Sequence, residues 1–202
     1  MDARPGSAGP LTESARVLHV VRHGAAGDGS WPLRASASLS AEGQRQAHAA
    51  AARLAAHLAQ PPRIYASDLP RCRETAAAIA QSTRGETVFE PRLRELEFGW
   101  EGESSEQILA RIGEERLSAF LRDPAANPLP GSEPFAAFWS RVAEALQGCL
   151  PLTRDGPVVI VAHDGVNRAI ELIASGRAPS DWPHATPWRH GEVRQVAWRG
   201  LP

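Results

Sequence analysis

Two short apolar runs limit what this chain can fold into more than any other feature. They are Val17-Leu18-His19-Val20-Val21 and Val158-Val159-Ile160-Val161-Ala162. Runs of this length, rich in β-branched residues and hydrophobic on both sides, are expected of strands buried on both faces of a sheet. Each run ends in a histidine: Arg22-His23-Gly24 follows the first, His163-Asp164-Gly165 the second. Both histidines therefore fall at the carboxyl end of a strand, the edge where open α/β sheets build their sites.

Further strands are predicted at Arg63–Ser67, Glu86–Glu90 and Val193–Trp198, beside Val17–Arg22 and Val158–His163. Helices are expected between them. Ser40 is a good N-cap for a helix reaching Ala59, with Glu42 in its first turn favouring the dipole. Pro61-Pro62 stops that helix. Ser67-Asp68 is expected to cap a second, with Pro70 in its first turn. Others are predicted from Ser104 to Phe120, from Glu133 or Pro134 to Leu150, and from Gly165 to Ala174. Asp123–Pro134 reads as an ordered loop or lid. The alternation predicts an α/β fold, a three-layer αβα sandwich whose mostly parallel sheet has helices on both faces. Residues 1–14, without an apolar core, read as a disordered leader, leaving 15–202 as one domain.

Composition narrows the chemistry. At 43% apolar, 22% charged and a formal net charge of −1, nothing marks a nucleic-acid or membrane partner. No apolar stretch approaches the ~20 residues of a bilayer span, so a cytoplasmic location is expected. All 22 basic residues are arginine, so a bound anion must be held by arginine, histidine or backbone N–H groups. Cys72 and Cys149 form no metal or redox motif; one disulfide between them is open, and two reduced thiols are the expectation.

Neutral imidazole can attack phosphorus, and an adjacent arginine offers a planar fork to the phosphoryl oxygens. Gly24 permits close backbone approach. Arg71, in the first turn of a helix after a strand, adds a second guanidinium beside free helix N–H groups; Arg73 reads as a solvated helix residue. The stretch Leu93-Arg94-Glu95-Leu96-Glu97-Phe98-Gly99-Trp100-Glu101-Gly102 offers carboxyls, one of which, shielded from water, could protonate a leaving alkoxide. Spacing leaves Glu95, Glu97 and Glu101 equivalent.

Arg22-His23-Gly24, Leu39 to Ala47, Ser67-Asp68-Leu69-Pro70-Arg71 with Thr75-Ala76, Leu93-Arg94-Glu95 with Phe98 to Gly102, Pro130-Gly131-Ser132-Glu133 and Val161-Ala162-His163 occur in one order. In that order they resemble the histidine phosphatase superfamily, which includes cofactor-dependent phosphoglycerate mutase. The Phe-Gly-Trp-Glu-Gly segment is similar to the bacterial phosphatase branch that includes α-ribazole phosphatases. The resemblance implies a phosphoglycerate mutase-like fold and a metal-independent phosphomonoester phosphatase, needing no cofactor, acting on a small phosphorylated metabolite. It implies His23 as the nucleophile that forms a phosphohistidine, and Arg22, Arg71 and His163 as phosphoryl-binding residues. Glu95 would be the acid that protonates the leaving group, then the base that activates water. Phosphoglycerate mutase-type transfer is the runner-up, and the stretch between Glu95 and Pro130 is short for it. A degenerate phosphate-binding or regulatory module, and a metal hydrolase using His23, His163, Asp164 and Glu95, are weaker alternatives. A homodimer is left open.

Three departures accompany the resemblance. Ala25-Ala26-Gly27-Asp28-Gly29 replaces the Ser, Thr or Glu and the asparagine that commonly follow the tripeptide. The Phe-Gly-Trp-Glu-Gly segment is one residue short. Asp164 stands where glycine is frequent, either keeping His163 cationic or repelling an anionic substrate; with Arg22, Gly24, Arg71 and His163 it completes the expected phosphate-binding set. Specificity is expected from residues 27–38, 124–134 and 182–190, whose Trp31, Trp182 and Trp188 could line a pocket for the leaving group.

Overall fold

The computed structural model describes residues 16–27, 35–100, 103–149 and 156–198. The leader, Trp31, Asp28-Gly29 and Glu101-Gly102 lie outside them.

Five strands form one sheet: β1 (Arg16–Arg22), β2 (Arg63–Ala66), β3 (Glu86–Phe89), β4 (Val158–Ala162) and β5 (Val193–Trp198). Their order is β3-β2-β4-β1-β5. β3, β2, β4 and β1 run parallel, and β5 pairs antiparallel with β1. The predicted α/β architecture with a mostly parallel sheet is present.

The pleat divides the apolar residues of each buried strand between two layers. Val158, Ile160 and Ala162 face one way with Leu18 and Val20 of β1, in the core that holds α3 (Ser105–Ile112), α4 (Glu114–Arg122), α5 (Phe135–Cys149) and α6 (Asp164–Ala174). Val159 and Val161 face the other way with Ile64, Ala66 and Val21, against α1 (Ala41–His57) and α2 (Pro70–Thr83). The alanines of α1 fit this second layer: Ala47, Ala50 and Ala51 are buried and let helix and sheet approach closely.

Ser40 caps α1 as expected, its Oγ accepting from the Gly43 N–H at 3.1 Å. Three local expectations are corrected. The helix predicted over 104–120 is two helices, because Gly113 takes φ +83 and breaks the chain direction between α3 and α4; that region disfavours any residue with a Cβ. Neither Ser67 nor Asp68 caps α2, whose N-cap is Leu69. The Asp68 carboxylate instead pairs with Arg94 through two hydrogen bonds of 2.7 and 2.6 Å, and the Ser67 hydroxyl turns toward His163. His163 lies just beyond β4, as the N-cap of α6.

Register explains why the histidines meet. Arg22 of β1 pairs with Ala162 of β4, so His23 and His163 leave adjacent parallel strands at the same level. Their ring centroids are 5.0 Å apart, in an edge-to-face arrangement.

Candidate active site

His23 is buried at the end of β1, its N–H bonded to Ala162 O at 3.0 Å. Its Nδ1 lies 2.7 Å from Gly24 O. A carbonyl only accepts, so Nδ1 carries the ring proton and Nε2 keeps its lone pair. Burial, with the guanidinia of Arg71 and Arg22 nearby, pushes the His23 pKa well below 6.5, so the ring is neutral.

Gly24 serves this geometry from behind. Its N–H donates to Thr75 Oγ1 at 3.2 Å, and that hydroxyl donates to Arg71 O at 2.8 Å. A Cβ on Gly24 would lie 2.2 Å from Gly43 O. The glycine is therefore needed where β1 meets the first turn of α1, and its N–H is engaged by Thr75. Ala25 is tied to α1 as well: its N–H donates to Gln46 Oε1 at 2.8 Å and its carbonyl accepts from the Ser40 N–H at 2.9 Å.

His163 Nε2 faces Ser67 Oγ at 3.0 Å and Cys72 Sγ at 3.5 Å. Its Nδ1 is buried and has no hydrogen-bond partner among the described residues. Burial, then His23, Arg71 and Arg22, push its pKa well below 6.5. Of the two effects left open for Asp164, keeping His163 cationic runs against this direction. The Asp164 carboxylate points elsewhere: Oδ1 accepts from the Trp188 N–H at 2.7 Å, and its oxygens lie 3.9 Å from Arg22 and Arg168. Among the expected phosphate-binding residues it acts as an arginine partner and loop anchor. Arg22 donates from Nη1 to Trp188 O, while its buried Nε has no partner among the described residues. Arg71 is buried in the first turn of α2. Arg73 stacks 3.9 Å over Phe89, away from the site.

The structure separates the three carboxyls that spacing could not. Glu95 Oε2 accepts from the Gly165 N–H at the start of α6 (3.1 Å), and Oε1 from the Leu96 N–H (3.0 Å). Burial raises its pKa against these two hydrogen bonds. Glu97 is exposed, its backbone joined to Glu133; Glu101 lies outside the described residues. The loop carrying Glu95 is clamped by Arg141 of α5, which donates to the carbonyls of Arg92 (2.7 Å), Arg94 (2.6 Å) and Glu95 (3.0 Å) and pairs with Glu133. Carbonyl oxygens satisfied by a guanidinium form a stiff support.

Glu95 lines a hollow of about 230 Å³ walled by Phe98, Phe120, Leu121 and Trp182, with Arg168 at its side. Trp182 is therefore at a pocket, as expected of this segment, and Arg168 lies 4.1 Å over its ring. Trp188 is packing: it is buried under Arg194 and its Nε1 donates to Glu171 at 3.1 Å. Sequence reasoning missed Arg141, whose clamp depends on two distant loops. It also missed Asn167, a fully buried amide whose network-consistent orientation donates to His163 O (3.3 Å) and accepts from the Arg22 N–H (3.2 Å). Among the described residues no three His, Cys, Asp or Glu side chains are grouped to hold a metal ion. No helix there is long and apolar enough to cross a membrane.

The model for the histidine phosphatase superfamily (branch 1) matches residues 18–200. A probable phosphoglycerate mutase, GpmB, of Serratia proteamaculans is 30% identical over 152 residues, which are 72% of this chain and 68% of that protein. The solved mycobacterial glucosyl-3-phosphoglycerate phosphatase is 30% identical, covers 90% of this chain and 89% of its own, and superposes with a TM-score of 0.75. The α-ribazole phosphatase of Shigella flexneri shares the fold at a TM-score of 0.74 and 23% identity, over 92% of this chain and 95% of its own.

Proposed function

The chain belongs to branch 1 of the histidine phosphatase superfamily, and from that membership and its site geometry we propose a phosphomonoester phosphatase working through a phosphohistidine. The observation that carries this reading is the Nδ1 contact to Gly24 O, which leaves a neutral His23 with its Nε2 lone pair available.

In the first half-reaction His23 Nε2 attacks phosphorus and the P–O ester bond breaks. The departing oxygen takes the Glu95 proton, giving phosphohistidine, alcohol and Glu95 carboxylate. In the second, that carboxylate takes a proton from water, the oxygen attacks phosphorus and the P–N bond breaks. Inorganic phosphate leaves, and Glu95 is protonated again. Arg22 and Arg71 supply fixed positive charge to the phosphoryl oxygens. With the Ser67 hydroxyl donating to His163 Nε2, Nδ1 becomes an N–H donor to the same group.

The leaving group must lie on the side of Glu95, so the aromatic hollow receives it. A wall of Phe98, Phe120, Leu121 and Trp182 suits an alcohol with an apolar or ring face, larger than glycerate. The mutase reading is favoured by the likeness to the probable phosphoglycerate mutase. Incubation with 3-phosphoglycerate and a trace of its bisphosphate separates the two. Free phosphate formed faster than 2-phosphoglycerate is expected; the reverse order overturns the phosphatase.

A further inference from the structure

Two other imidazoles, not one, lie beside the His23 ring. The His190 ring centroid lies 5.4 Å from that of His23, tilted at 45°. It arrives from a different element from His163: the loop between the 3-10 turn Pro179–His184 and β5. This loop is fixed to the nucleophile's own backbone. Gly191 N–H is shared between the carbonyls of Arg22 (3.1 Å) and His23 (3.2 Å), and Glu192 O accepts from the Arg22 N–H at 3.1 Å. On the other side of His190, Trp188 is held through its N–H by Asp164 and through its carbonyl by Arg22. Gly191 takes φ +71 and packs so closely that a Cβ would lie 2.8 Å from Gln46 Cβ. His190 is thus positioned from both flanks.

The ring itself makes no hydrogen bond to a described residue, although half of it is buried. It also lines an open hollow of about 490 Å³ with Thr186, Arg189 and Arg194. A polar ring held rigidly beside a nucleophile, with its nitrogens unengaged, is arranged for a ligand. We propose that His190 is a substrate-contacting residue, whose ring N–H donates to an oxygen of the phosphoryl group held before His23. This rests on the reading that the phosphoryl group sits there.

The surroundings keep the ring a neutral donor. Burial and the guanidinia of Arg22 and Arg71 lower its pKa to about 4, opposed by the Asp164 carboxylate. A neutral imidazole adds a donor without another full positive charge beside two arginines. It also supplies a polar group on a flank where Ala25 and Ala26 have none.

The test measures inorganic phosphate affinity and steady-state hydrolysis of an aryl phosphate by the full chain and by His190→Phe, His190→Asn and His190→Ala. Phenylalanine keeps a packed ring and removes the donors; asparagine keeps an N–H. His190→Phe is expected to weaken phosphate binding about tenfold or more, the loss of one hydrogen bond to a charged group, and His190→Asn to recover part of it. Free imidazole added to His190→Ala is expected to restore affinity and 1-methylimidazole, which fills the same space without an N–H donor, is not; this serves if the Phe variant misfolds. Phosphate affinity of folded His190→Phe within twofold of the parent, or no rescue of His190→Ala, overturns the proposal. His23→Ala separates the two readings. Turnover surviving in His23→Ala removes the phosphohistidine alone, whereas turnover lost there with phosphate affinity unchanged in His190→Phe removes only this inference. Failure of the parent to bind phosphate removes both.

Discussion

Gly165→Ala puts the proposed acid under a test that hardly touches the fold. A Cβ at Gly165 would lie 2.4 Å from Glu95 Oε1 and 3.3 Å from its Cδ. Ordinary contact begins at 3.4 Å, so the carboxyl must retreat by about 1 Å, and a catalytic group misplaced that far costs on the order of a hundredfold. The atoms that give way are the end of a flexible side chain. Within α6, alanine is also favoured over glycine by roughly 0.5–1 kcal/mol, so the melting temperature should hold or rise slightly. The assay compares an alkyl phosphate, whose alkoxide needs a proton, with a nitrophenyl phosphate, whose leaving group does not. The variant should lose about a hundredfold on the first and far less on the second. Wild-type kcat on the alkyl ester, or equal losses on both, would refute the placement of Glu95 as acid.

Other outcomes follow from the same contacts. In the proposed mechanism turnover needs His23 unprotonated and Glu95 protonated. The pKa of His23 is well below 6.5 and that of Glu95 above 4.5, so the acid limb of kcat/KM lies below 6.5 and the alkaline limb reports Glu95. Glu95→Gln should flatten that alkaline limb relative to wild type, and a ratio of the two profiles that does not vary with pH contradicts the assignment. Arg141→Leu strands three carbonyls and Glu133. It should cost about 2–3 kcal/mol in urea unfolding; a loss below about 0.5 kcal/mol, the range of ordinary surface changes, would show that the clamp is idle. Cys72 and Cys149 are buried and their thiols are pushed up to about 12. Neither should react with a thiol reagent until the protein is denatured, and rapid labelling of native Cys72 would reopen a thiol nucleophile.

What could be read in advance divides along physical lines. β1 and β4 were legible because strands covered on both faces must be apolar throughout, and the histidines after them follow from one-dimensional order. The break at Gly113 was missed because apolar residues recur at helical spacing on each side of it, Ile108 with Ile112 and Leu117 with Phe120, although the two sets fall out of phase across the glycine. Ser67 and Asp68 look like caps by residue type, but distant Arg94 and His163 compete successfully for their oxygens. The Asp164 carboxylate is next to His163 in sequence, yet its orientation is set by Trp188 and Arg22 from distant segments and by Arg168 one turn along its own helix. His190 carried a signal too weak to isolate, since a lone histidine in a loop has many dull explanations. Only register and loop anchoring bring it to His23.

The phosphohistidine itself gives the most direct test. Wild-type protein mixed with an aryl phosphate and rapidly denatured in base should carry an acid-labile phosphoryl group that peptide mapping places on His23. His23→Ala, with its fold verified, should carry none and should not turn over. A His23→Ala protein that hydrolyses the ester at the wild-type rate, or a phosphoryl group mapped to another residue, would contradict the account at its centre.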